Sequence, residues 1–437
     1  MAELVWRGKG GRRPALRAVR LRTDETYGSG AEPNRLVHGD ASDVLSALAK
    51  PFAGLVSLIY IDPPFDTGTS FNFRAAVPGA EPGAPRIALE AYRDDRGLDR
   101  WLTWFFRISE QLRDLLAPGG SLYVHLDAHV AHYAKVVLDE ILGIESFQRE
   151  IIWRIGWISG FKSRVRGWIR NHDTILFYAK GGRPSVFHKE YVPYPEGYVR
   201  RDGAAPSGQG YPIEDVWNGN RLDPLDSIQI VSFSREKLGY PTQKNEALVA
   251  RIVRASSRPG DLVLDCFAGS GTTAAVAEKL GRRWIASDSS PISIHVTRKR
   301  LLARARPKPF IAQSSSSSPR VDVAAKRLVL RARAEVHAKG RVTVEIAGLR
   351  VPKAAAPEAV RAQVTHWAQW IDAWCVDWEY RRGPMNVSSY VSRKTPSASL
   401  DLVIGHTYAK PGQYVALVKA FDILGGQATT TLDVTVE

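Results

Sequence analysis

The sequence predicts an α/β fold with a mostly parallel sheet, followed by a smaller β-rich region. Nearly continuous apolar runs alternate with amphipathic segments, which is the pattern of buried strands joined by crossover helices. From about residue 320 the pattern changes to short β-like segments around one Trp-rich stretch. Ligands of a parallel sheet bind outside the carboxyl ends of its strands, so the residues that end the predicted strands are the first candidates for a site.

The expected elements follow in chain order. Leu55–Ile61 is nearly all apolar and is stopped by two prolines, which is typical of a buried parallel strand. Arg100–Leu116 has large apolar side chains at helical spacing, and a Pro-Gly-Gly turn ends that helix. The remaining strands and helices of this part are predicted at Ser121–Leu126, Ala128–Leu142, Asp261–Asp265, Thr272–Leu280 and Arg283–Asp288.

Composition narrows the function classes. The 437 residues carry 60 Lys and Arg against 45 Asp and Glu, a net charge of +15. This excess makes nucleic acid the first candidate partner, with a generally basic proteome or a membrane-surface protein as the alternatives. Two cysteines exclude a disulfide framework and a multi-cysteine zinc site. No apolar run approaches the ~20 residues that span a bilayer, and none follows the basic N-terminus, so we expect neither a membrane segment nor a secretory signal.

The excess charge falls in three stretches. Residues 1–30 form a basic, Gly-containing arm that we expect to be flexible, either lying along phosphates or solvated. Arg149–Arg170 is either a surface that grips DNA or a core strand flanked by long basic side chains. Its aromatic residues are Trp153, Trp157, Phe161 and Trp168. Arg298–Lys308 follows a helical pattern and leads into residues 311–320, a predicted Ser-rich linker.

The first motif, Asp265–Thr273, reads Asp-Cys-Phe-Ala-Gly-Ser-Gly-Thr-Thr and lies between a predicted strand and a predicted helix. Gly269 and Gly271 allow a tight turn and a close approach to a ligand, and the helix amides favour a polar or anionic group. Asp288 ends the next strand, near the spacing at which a carboxylate meets a nucleotide ribose. The motif lacks both the third glycine of a dinucleotide fingerprint and the lysine of a P-loop. A nucleoside without a pyrophosphate therefore fits better than NAD or ATP.

The second motif, Asp62-Pro63-Pro64-Phe65, ends the Leu55–Ile61 strand. Two prolines stiffen this loop and remove two N–H donors, so its carbonyls lack partners within the turn. The loop presents a carboxylate, free carbonyls and an aromatic ring at the carboxyl end of a sheet. These groups suit a planar ring that carries an –NH₂ group, although a plain strand-ending turn has the same composition.

Taken together, the two motifs resemble those of the amino-methylating DNA methyltransferases. Tyr240–Lys244 is similar to the family's cofactor-binding segment, and His38-Gly39-Asp40 to its Gly-Asp before the catalytic loop. The catalytic motif precedes the cofactor motif, which is the permuted order of the β class. Residues 140–153 and 171–176 resemble modification subunits of type III restriction systems. The sequence departs from the family pattern at three positions: Asn245 and Cys266 where proline is common, and Phe65 where tyrosine is commoner.

The resemblance implies a Rossmann-like, S-adenosylmethionine-dependent methyltransferase domain over residues 31–310. It implies methyl transfer to the exocyclic N6 of adenine in double-stranded DNA after base flipping, with cytosine-N4 transfer and a non-catalytic DNA-binding protein as alternatives. The catalytic residues would be Asp62, Pro63, Pro64 and Phe65. The cofactor S-adenosyl-L-methionine would be bound by Asp40, Thr242, Gln243, Lys244, Asp265, Phe267, Gly269, Gly271, Thr272 and Asp288. Of these, Thr242, Gln243 and Lys244 would hold the methionine end. No metal is implied.

The resemblance also bears on partners and location. It raises a homodimer and a cognate restriction subunit as partners beside DNA, with no membrane, in the prokaryotic cytosol or at the nucleoid. The basic stretches Arg149–Arg170 and Arg298–Lys308 flank the two halves of the catalytic domain, where a DNA groove would be expected. Residues 186–240 lie between the two halves of the catalytic domain and match no regular pattern. We expect this segment to recognise the target sequence, with an ordinary surface insertion as the alternative.

The C-terminal region, residues 321–437, is expected to be a β-rich accessory domain. Trp367, Trp370, Trp374 and Trp378 would share one face of a helix if the stretch is helical, more often a core than a ligand site. Residues 406–436 resemble the last strands of an Ig-like sandwich of the polycystic-kidney-disease (PKD) type. Such a domain usually mediates contacts, and both a protein and DNA remain candidates for the molecule contacted.

Overall fold

A computed structural model describes residues 3–10, 19–79, 86–156, 164, 166–205, 207–218, 236–304, 306–316, 328–395 and 398–437. Its strands are β1 Leu21–Tyr27, β2 Asn34–His38, β3 Val56–Ile61, β4 Thr69–Ala75, β5 Ile87–Asp94, β6 Leu116–Leu126, β7 Phe147–Arg154, β8 His172–Ala179, β9 Tyr191–Val192, β10 Tyr211–Pro212, β11 Val216–Trp217, β12 Leu262–Asp265, β13 Arg283–Asp288, β14 Phe310–Ser315, β15 Val329–Val336, β16 Arg341–Arg350, β17 Ile371–Asp377, β18 Met385–Val387, β19 Ser389–Ser392, β20 Val403–Thr407, β21 Gly412–Asp422 and β22 Gln427–Val436. Its α-helices are α1 Ala41–Phe52, α2 Leu98–Leu115, α3 Ala131–Leu142, α4 Glu246–Ser256, α5 Thr272–Lys279, α6 Pro291–Leu302 and α7 Glu358–Arg361.

Eleven of the described strands form one central sheet, in the order β11-β7-β8-β6-β3-β12-β13-β2-β14-β1-β18. The six strands from β6 to β14 in that order are mutually parallel, while β8 and β1 run antiparallel to their neighbours β6 and β14. The predicted mostly parallel sheet is therefore confirmed. Parallel strands of this kind are buried on both faces, and the apolar clusters of the sheet lie above and below it.

The helices follow from their apolar faces and caps. Helix α2 buries Trp101, Phe105 and Ile108 against the sheet and ends at Leu115. The predicted Pro-Gly-Gly turn is wrong, because these residues lie in the first half of strand β6. Helix α6 starts at a proline, with the Ser290 hydroxyl accepting from the Ser293 amide, so both N-terminal signals agree. Strand β13 has the predicted bounds, and the other predicted elements differ by a few residues at their ends.

The predicted Ser-rich linker is wrong in its first half. Residues Phe310–Ser315 form strand β14, which lies between β2 and β1 in the central sheet. Phe310 and Ala312 are buried on one face, while the serines pair through their backbone. A serine run can lie in a sheet because the ladder needs only backbone N–H and C=O groups. Residues 317–320 lie outside the described part.

The expected flexible arm is wrong for the residues that are described. Trp6 is buried against Phe106, and its indole nitrogen donates to Thr103 (2.9 Å). Lys9 pairs with Glu140 of α3 at 2.6 Å. Further along, Leu21–Tyr27 is strand β1 of the central sheet. Residues 11–18, which hold three of the arm's arginines, lie outside the described part.

The C-terminal region forms two antiparallel sheets that share one apolar core. One sheet has the order β15-β16-β20 and the other β19-β17-β21-β22. The Trp-rich stretch is not a helix: a 3-10 helix at Trp367–Trp370 leads directly into strand β17. Trp370, Trp374 and Trp378 all face the core. Residues four apart lie on the same face of a strand and also on the same face of a helix. The spacing of the tryptophans alone therefore could not distinguish a strand from a helix.

Candidate active site

The cavity that holds the candidate site lies where the direction of strand connections reverses. Strands β3 and β12 are parallel neighbours in the sheet. From β3 the chain crosses to β6 on one side, and from β12 it crosses to β13 on the other. The two carboxyl ends therefore open a crevice, the usual ligand position in such sheets. A cavity of about 480 Å³ is found there.

The catalytic loop places one carboxylate in this cavity. Asp62 Oδ2 accepts from the Lys244 ammonium at 2.5 Å, while Oδ1 is buried and has no hydrogen-bond partner among the described residues. The Trp101 indole donates to the Pro64 carbonyl at 2.6 Å, which ties the loop to α2. An unpaired buried carboxylate oxygen is costly, so this atom is prepared to accept from a ligand. Pro64 lines the cavity, whereas Pro63 and Phe65 do not.

The glycine loop is held by the two acids that the sequence singled out. Asp265 is buried, accepting from the Phe267 amide at 2.9 Å and from the Thr273 hydroxyl at 2.5 Å. Asp288 accepts from the Gly269 amide at 2.8 Å and from the Ser290 amide at 2.8 Å. Each carboxylate oxygen keeps further acceptor capacity toward the cavity, which both residues line.

Two acids in this cavity, Asp265 and Asp288, have raised pKa values. Burial, together with the nearby charges of Asp62 and Asp288, raises the pKa of Asp265 from 3.8 to about 7, although the Thr273 hydroxyl and the Phe267 amide oppose that rise. Burial also raises the pKa of Asp288, although the amides of Ser290 and Gly269 oppose that rise. A cluster of carboxylates that is this reluctant to ionise would be relieved by a bound cation.

Gly271 has a packing role. Its φ is +74°, and an added Cβ would lie 2.6 Å from the Thr297 side chain in α6. The residue caps α5 and lets α6 pack closely, but it does not line the cavity. Thr272 does line the cavity, and its hydroxyl donates to the Lys244 carbonyl at 3.2 Å.

The Tyr240–Lys244 segment lines the cavity, but two of its side chains have other partners than expected. The Gln243 amide closes its own loop, donating to the Glu236 carbonyl at 2.6 Å and accepting from the Leu238 amide at 3.0 Å. Lys244 bonds the catalytic loop rather than facing a separate ligand end, which corrects the expected position. Thr242 lines the cavity with a φ of +54°. Asp40 also lines it and caps α1, accepting from the Ser42 amide at 2.9 Å.

A buried polar network below the catalytic loop was not predicted. The Tyr60 hydroxyl meets His125 Nδ1 at 3.0 Å, and His125 Nε2 meets Asp173 at 3.3 Å. Burial opposes ionisation of Asp173, but the His125 hydrogen bond and charge, with Lys244 and Arg170, lower its pKa. The network joins β3, β6 and β8, so it fixes the strand that carries Asp62. A histidine inside the apolar β6 run was the available signal.

The cavity wall also includes Tyr240 of the predicted cofactor-binding segment, and Trp104 and Leu424, which the sequence did not assign to a site. Trp104 comes from α2, and its ring meets Phe267 edge-on at 5.6 Å. Tyr240 lies over the glycine loop, 3.3 Å from where a Gly269 Cβ would be. Leu424 comes from the C-terminal region, 159 residues after Asp265, so no local pattern could have indicated it.

The basic side chains of Arg298–Lys308 and Arg149–Arg170 differ in how exposed they are. In the helical stretch Arg298 forms an ion pair with Glu25, Lys299 with Asp372 and Arg300 with Glu246, all within the protein. The expected DNA-facing role of the helical stretch is therefore wrong for these residues. In the Arg149–Arg170 stretch Trp153 is buried, as expected for a core strand. Trp168 is fully exposed, as expected for a binding surface. Trp157 and Phe161 lie outside the described residues.

The described residues of the predicted recognition segment include a strand that pairs with β7 and a cluster of tyrosines. Tyr194, Tyr198 and Tyr211 form a ring cluster, with Tyr194 and Tyr198 stacked at 4.9 Å. Strand β11 extends the central sheet beyond β7. Residues 219–235, which include Asn220 and Arg221, lie outside the described part.

In the described part of the chain, no helix is long and apolar enough to cross a membrane. Within the same residues, no group of three or more His, Cys, Asp or Glu is arranged to hold a metal ion.

Comparison with known proteins decides the family. The model of a family described as DNA methylase matches residues 56–298, more than half of the chain and both motifs. The chain belongs to this family. The E. coli (strain K12) protein named DNA adenine methyltransferase YhdJ is 29% identical to this DNA methylase over 290 residues, 62% of this chain and 84% of the relative. The Moraxella bovis type II methyltransferase M1.MboII is 32% identical over 203 residues, 44% of this chain and 75% of the relative.

The expected membership among the amino-methylating DNA methyltransferases is therefore confirmed. The likeness to type III modification subunits stays a prediction, since these relatives of the DNA methylase are named adenine or type II enzymes. A solved structure titled as the M1.HpyAVI–SAM complex aligns with 61% of this chain and 98% of its own, at 21% identity and a TM-score of 0.39.

Proposed function

We propose that this DNA methylase transfers a methyl group from S-adenosylmethionine to the exocyclic N6 of adenine in double-stranded DNA, at a specific sequence. The observation that carries the proposal is the position of Asp62. Asp62 lines the same cavity as the glycine loop of Asp265–Ser270, and its buried Oδ1 has no hydrogen-bond partner among the described residues. An acceptor for an amine and a nucleoside cradle thus share one crevice. Adenine is favoured because one relative is named a DNA adenine methyltransferase.

The cavity suits the proposed cofactor. Its volume of about 480 Å³ lies within the usual range for small-molecule sites. Asp265 and Asp288, with their raised pKa values, favour a ligand that carries positive charge. The aromatic rings of Trp104 and Tyr240 offer faces for a planar base. When bound, S-adenosylmethionine supplies an electrophilic methyl group on a sulfonium centre.

The residue roles that we propose follow from these contacts. Asp288 accepts from the ribose hydroxyls, and Gly269 admits the nucleoside close to the backbone. Phe267 and the wall residues exclude water from the base. Asp265 acts mainly by fixing the loop, because it is buried and accepts from Phe267 and Thr273, whereas the Asp288 side chain is only partly buried. Asp40, Thr242, Gln243 and Thr272 complete the cradle, and Gly271 supports it by packing.

For the acceptor base we propose the catalytic loop. The flipped adenine places its amine between Asp62 Oδ1 and the Pro63 carbonyl, each accepting one hydrogen, while Phe65 stacks on the ring. These two acceptors orient the nitrogen lone pair toward the methyl group, so positioning contributes most of the rate. Lys244 holds the other carboxylate oxygen of Asp62 and thus fixes its rotation. Unstacking the base costs a few kcal/mol.

The surface around Trp168 is the proposed DNA contact. The ring is fully exposed, and the exposed Arg164 and Arg166 are close to it in the chain, a combination suited to phosphates and an unstacked base. Arg170 pairs with Asp127 and Asp173 instead. The neighbouring residues 186–240 are proposed to read the target sequence. Assembly as a homodimer and pairing with a restriction subunit stay predictions. The two-sheet C-terminal region is proposed to be an Ig/PKD-like sandwich, on the strength of its paired antiparallel sheets.

The test measures tritium transfer from labelled S-adenosylmethionine to DNA, followed by nucleoside analysis of the product. We expect N6-methyladenine from the wild type and none from Asp62→Asn, which keeps the shape but removes the charge. Asp99→Asn is the matched control, since Asp99 is an exposed aspartate in the first turn of α2. N4-methylcytosine as the product would overturn the base assignment. Full transfer by Asp62→Asn would overturn the role of Asp62.

A further inference from the structure

The turn between β21 and β22, residues Asp422–Gln427, reaches the active-site cavity. Leu424 at this turn lines the same cavity as Asp265 and Asp288. Both Leu424 and Ile292 of α6 pack against the apolar core of the C-terminal region. The wall of the cavity on this side is therefore built jointly by the catalytic domain and the C-terminal region.

This turn is held in a fixed shape. Asp422 Oδ1 accepts from the Leu424 amide at 2.9 Å and from the Gly426 amide at 2.6 Å. The Asp422 amide donates to the Gly426 carbonyl at 2.9 Å. Gly425 has a φ of +82°, and a Cβ there would lie 2.7 Å from the Pro291 carbonyl carbon. The backbone of the turn thus sits directly on the first turn of α6.

The C-terminal region also anchors the helix that follows Asp288. Asp372 of β17 accepts from His295 Nε2 at 2.7 Å and from the Lys299 ammonium at 2.8 Å. Both donors lie on α6, whose first residue is three positions after Asp288. The position of the Asp288 carboxylate is thereby coupled to the C-terminal sheets.

A separate contact reaches the other side of the site. The β4–β5 hairpin begins four residues after Phe65, and Val77 at its turn is buried in the C-terminal core. Phe73 of β4 packs on the same core and lies 6.4 Å from the Tyr240 ring. The C-terminal region therefore touches elements from both motifs, although the family match ends at residue 298.

From these contacts we infer that the C-terminal region is part of the cofactor site, with Leu424 covering the adenine ring of the bound methyl donor. The inference rests on the proposed function, which puts S-adenosylmethionine in this cavity. Leu424 lies on the Asp288 side, because its turn contacts Pro291 and Ile292. Asp288 is the proposed ribose ligand, so the neighbouring base is the group within reach. An aliphatic side chain is a suitable cover for an aromatic face.

The test is calorimetric binding to the full-length protein without DNA, using S-adenosylhomocysteine and, separately, adenosine. We expect Leu424→Ala to weaken both ligands by roughly five- to tenfold, the effect of losing a few buried methyl groups. Leu424→Met should restore most of the affinity because it refills the volume. Leu402→Ala is the matched control, since Leu402 packs on the same C-terminal core but does not line the cavity.

The outcomes separate the two claims. Binding by Leu424→Ala within twofold of the wild type, or a loss equal to that of Leu402→Ala, overturns the role of Leu424 and leaves the proposed function intact. A loss for S-adenosylhomocysteine without a loss for adenosine also overturns it, because the contact would then lie away from the base. A wild type that binds neither ligand overturns both the inference and the proposed function.

Discussion

Replacing Glu25 with glutamine should destabilise the protein strongly. Glu25 is 1% exposed in β1, and it binds Arg298 of α6 at 3.1 Å and the Lys419 ammonium of β21. The Tyr27 hydroxyl also donates to it at 2.6 Å. One carboxylate therefore joins the N-terminal strand, the helix after Asp288 and the C-terminal sheet.

The size of the effect follows from the charges left behind. In Glu25→Gln both Arg298 and Lys419 stay buried without a counter-charge, a loss of about 3 to 5 kcal/mol for broken buried pairs. The pKa of Glu25 gives a second figure. Burial opposes ionisation, but the two cations lower the pKa from 4.5 to about 2, which corresponds to about 3 kcal/mol. Because the pKa is lowered, this stability is present above pH 4.5 and is lost as pH falls toward 2.

The assay is urea unfolding followed by tryptophan fluorescence, for the wild type, Glu25→Gln and the control Glu345→Gln. Glu345 pairs with Arg333 on the exposed face of the C-terminal sheet, so its loss should cost less than about 0.5 kcal/mol. We expect Glu25→Gln to lose about 3 kcal/mol at pH 7, and the gap to the wild type to shrink below pH 4.5. A loss under 1 kcal/mol, or a gap that does not change with pH, would refute the reasoning.

Four further outcomes are expected. Because burial raises the pKa of Asp265 to about 7, its protonated form stabilises the ligand-free fold. This contribution to the free energy of unfolding is lost as pH rises from about 4 to 7. In urea unfolding titrations, Asp265→Asn should lack this decline in stability with pH. By the same shift, S-adenosylmethionine binding at pH 6.5 should release protons, seen as a buffer-dependent heat, and neutral S-adenosylhomocysteine should release fewer. Gly271→Ala should lower the melting temperature by several degrees, because its Cβ would lie 2.6 Å from Thr297; an unchanged value would contradict the packing role. Trp168→Ala should weaken DNA binding severalfold in a gel-shift or anisotropy titration while the partly exposed Tyr133→Ala does not, and equal effects would remove Trp168 from the interface.

The catalytic fold was predictable because its signals are local. A nearly continuous apolar run ending in Asp-Pro-Pro is typical of a buried parallel strand, and the sequence marks the end of β13 with Asp288. The serine strand β14 was missed since its side chains carry little hydrophobic pattern, while its stability comes from backbone pairing with β2 and β1. The Trp-rich stretch was misassigned because a spacing of four fits both periods.

The residues of the candidate site also fall into those that local sequence signals predicted and those that they could not predict. Asp62, Asp265 and Asp288 were found from motif and strand position, and all three line the cavity. Partners that are distant along the chain were not predictable: Lys244 meets Asp62 across 182 residues, and Leu424 arrives from another region. Charge counting was also misleading around Arg298, because a basic helix looks the same in sequence whether its cations face DNA or buried acids.

The position of β1 has a consequence for how the chain is made. Its sheet partners are β14 and β18, and Glu25 meets Lys419 across 394 residues. At a synthesis rate of roughly 5 to 20 residues per second, the strand emerges tens of seconds before its partners exist. A ribosome-bound chain that already contains both catalytic motifs therefore still exposes an unpaired strand and an uncompensated acid. We expect folding to finish only near or after release, and the nascent chain to depend on chaperones in that interval.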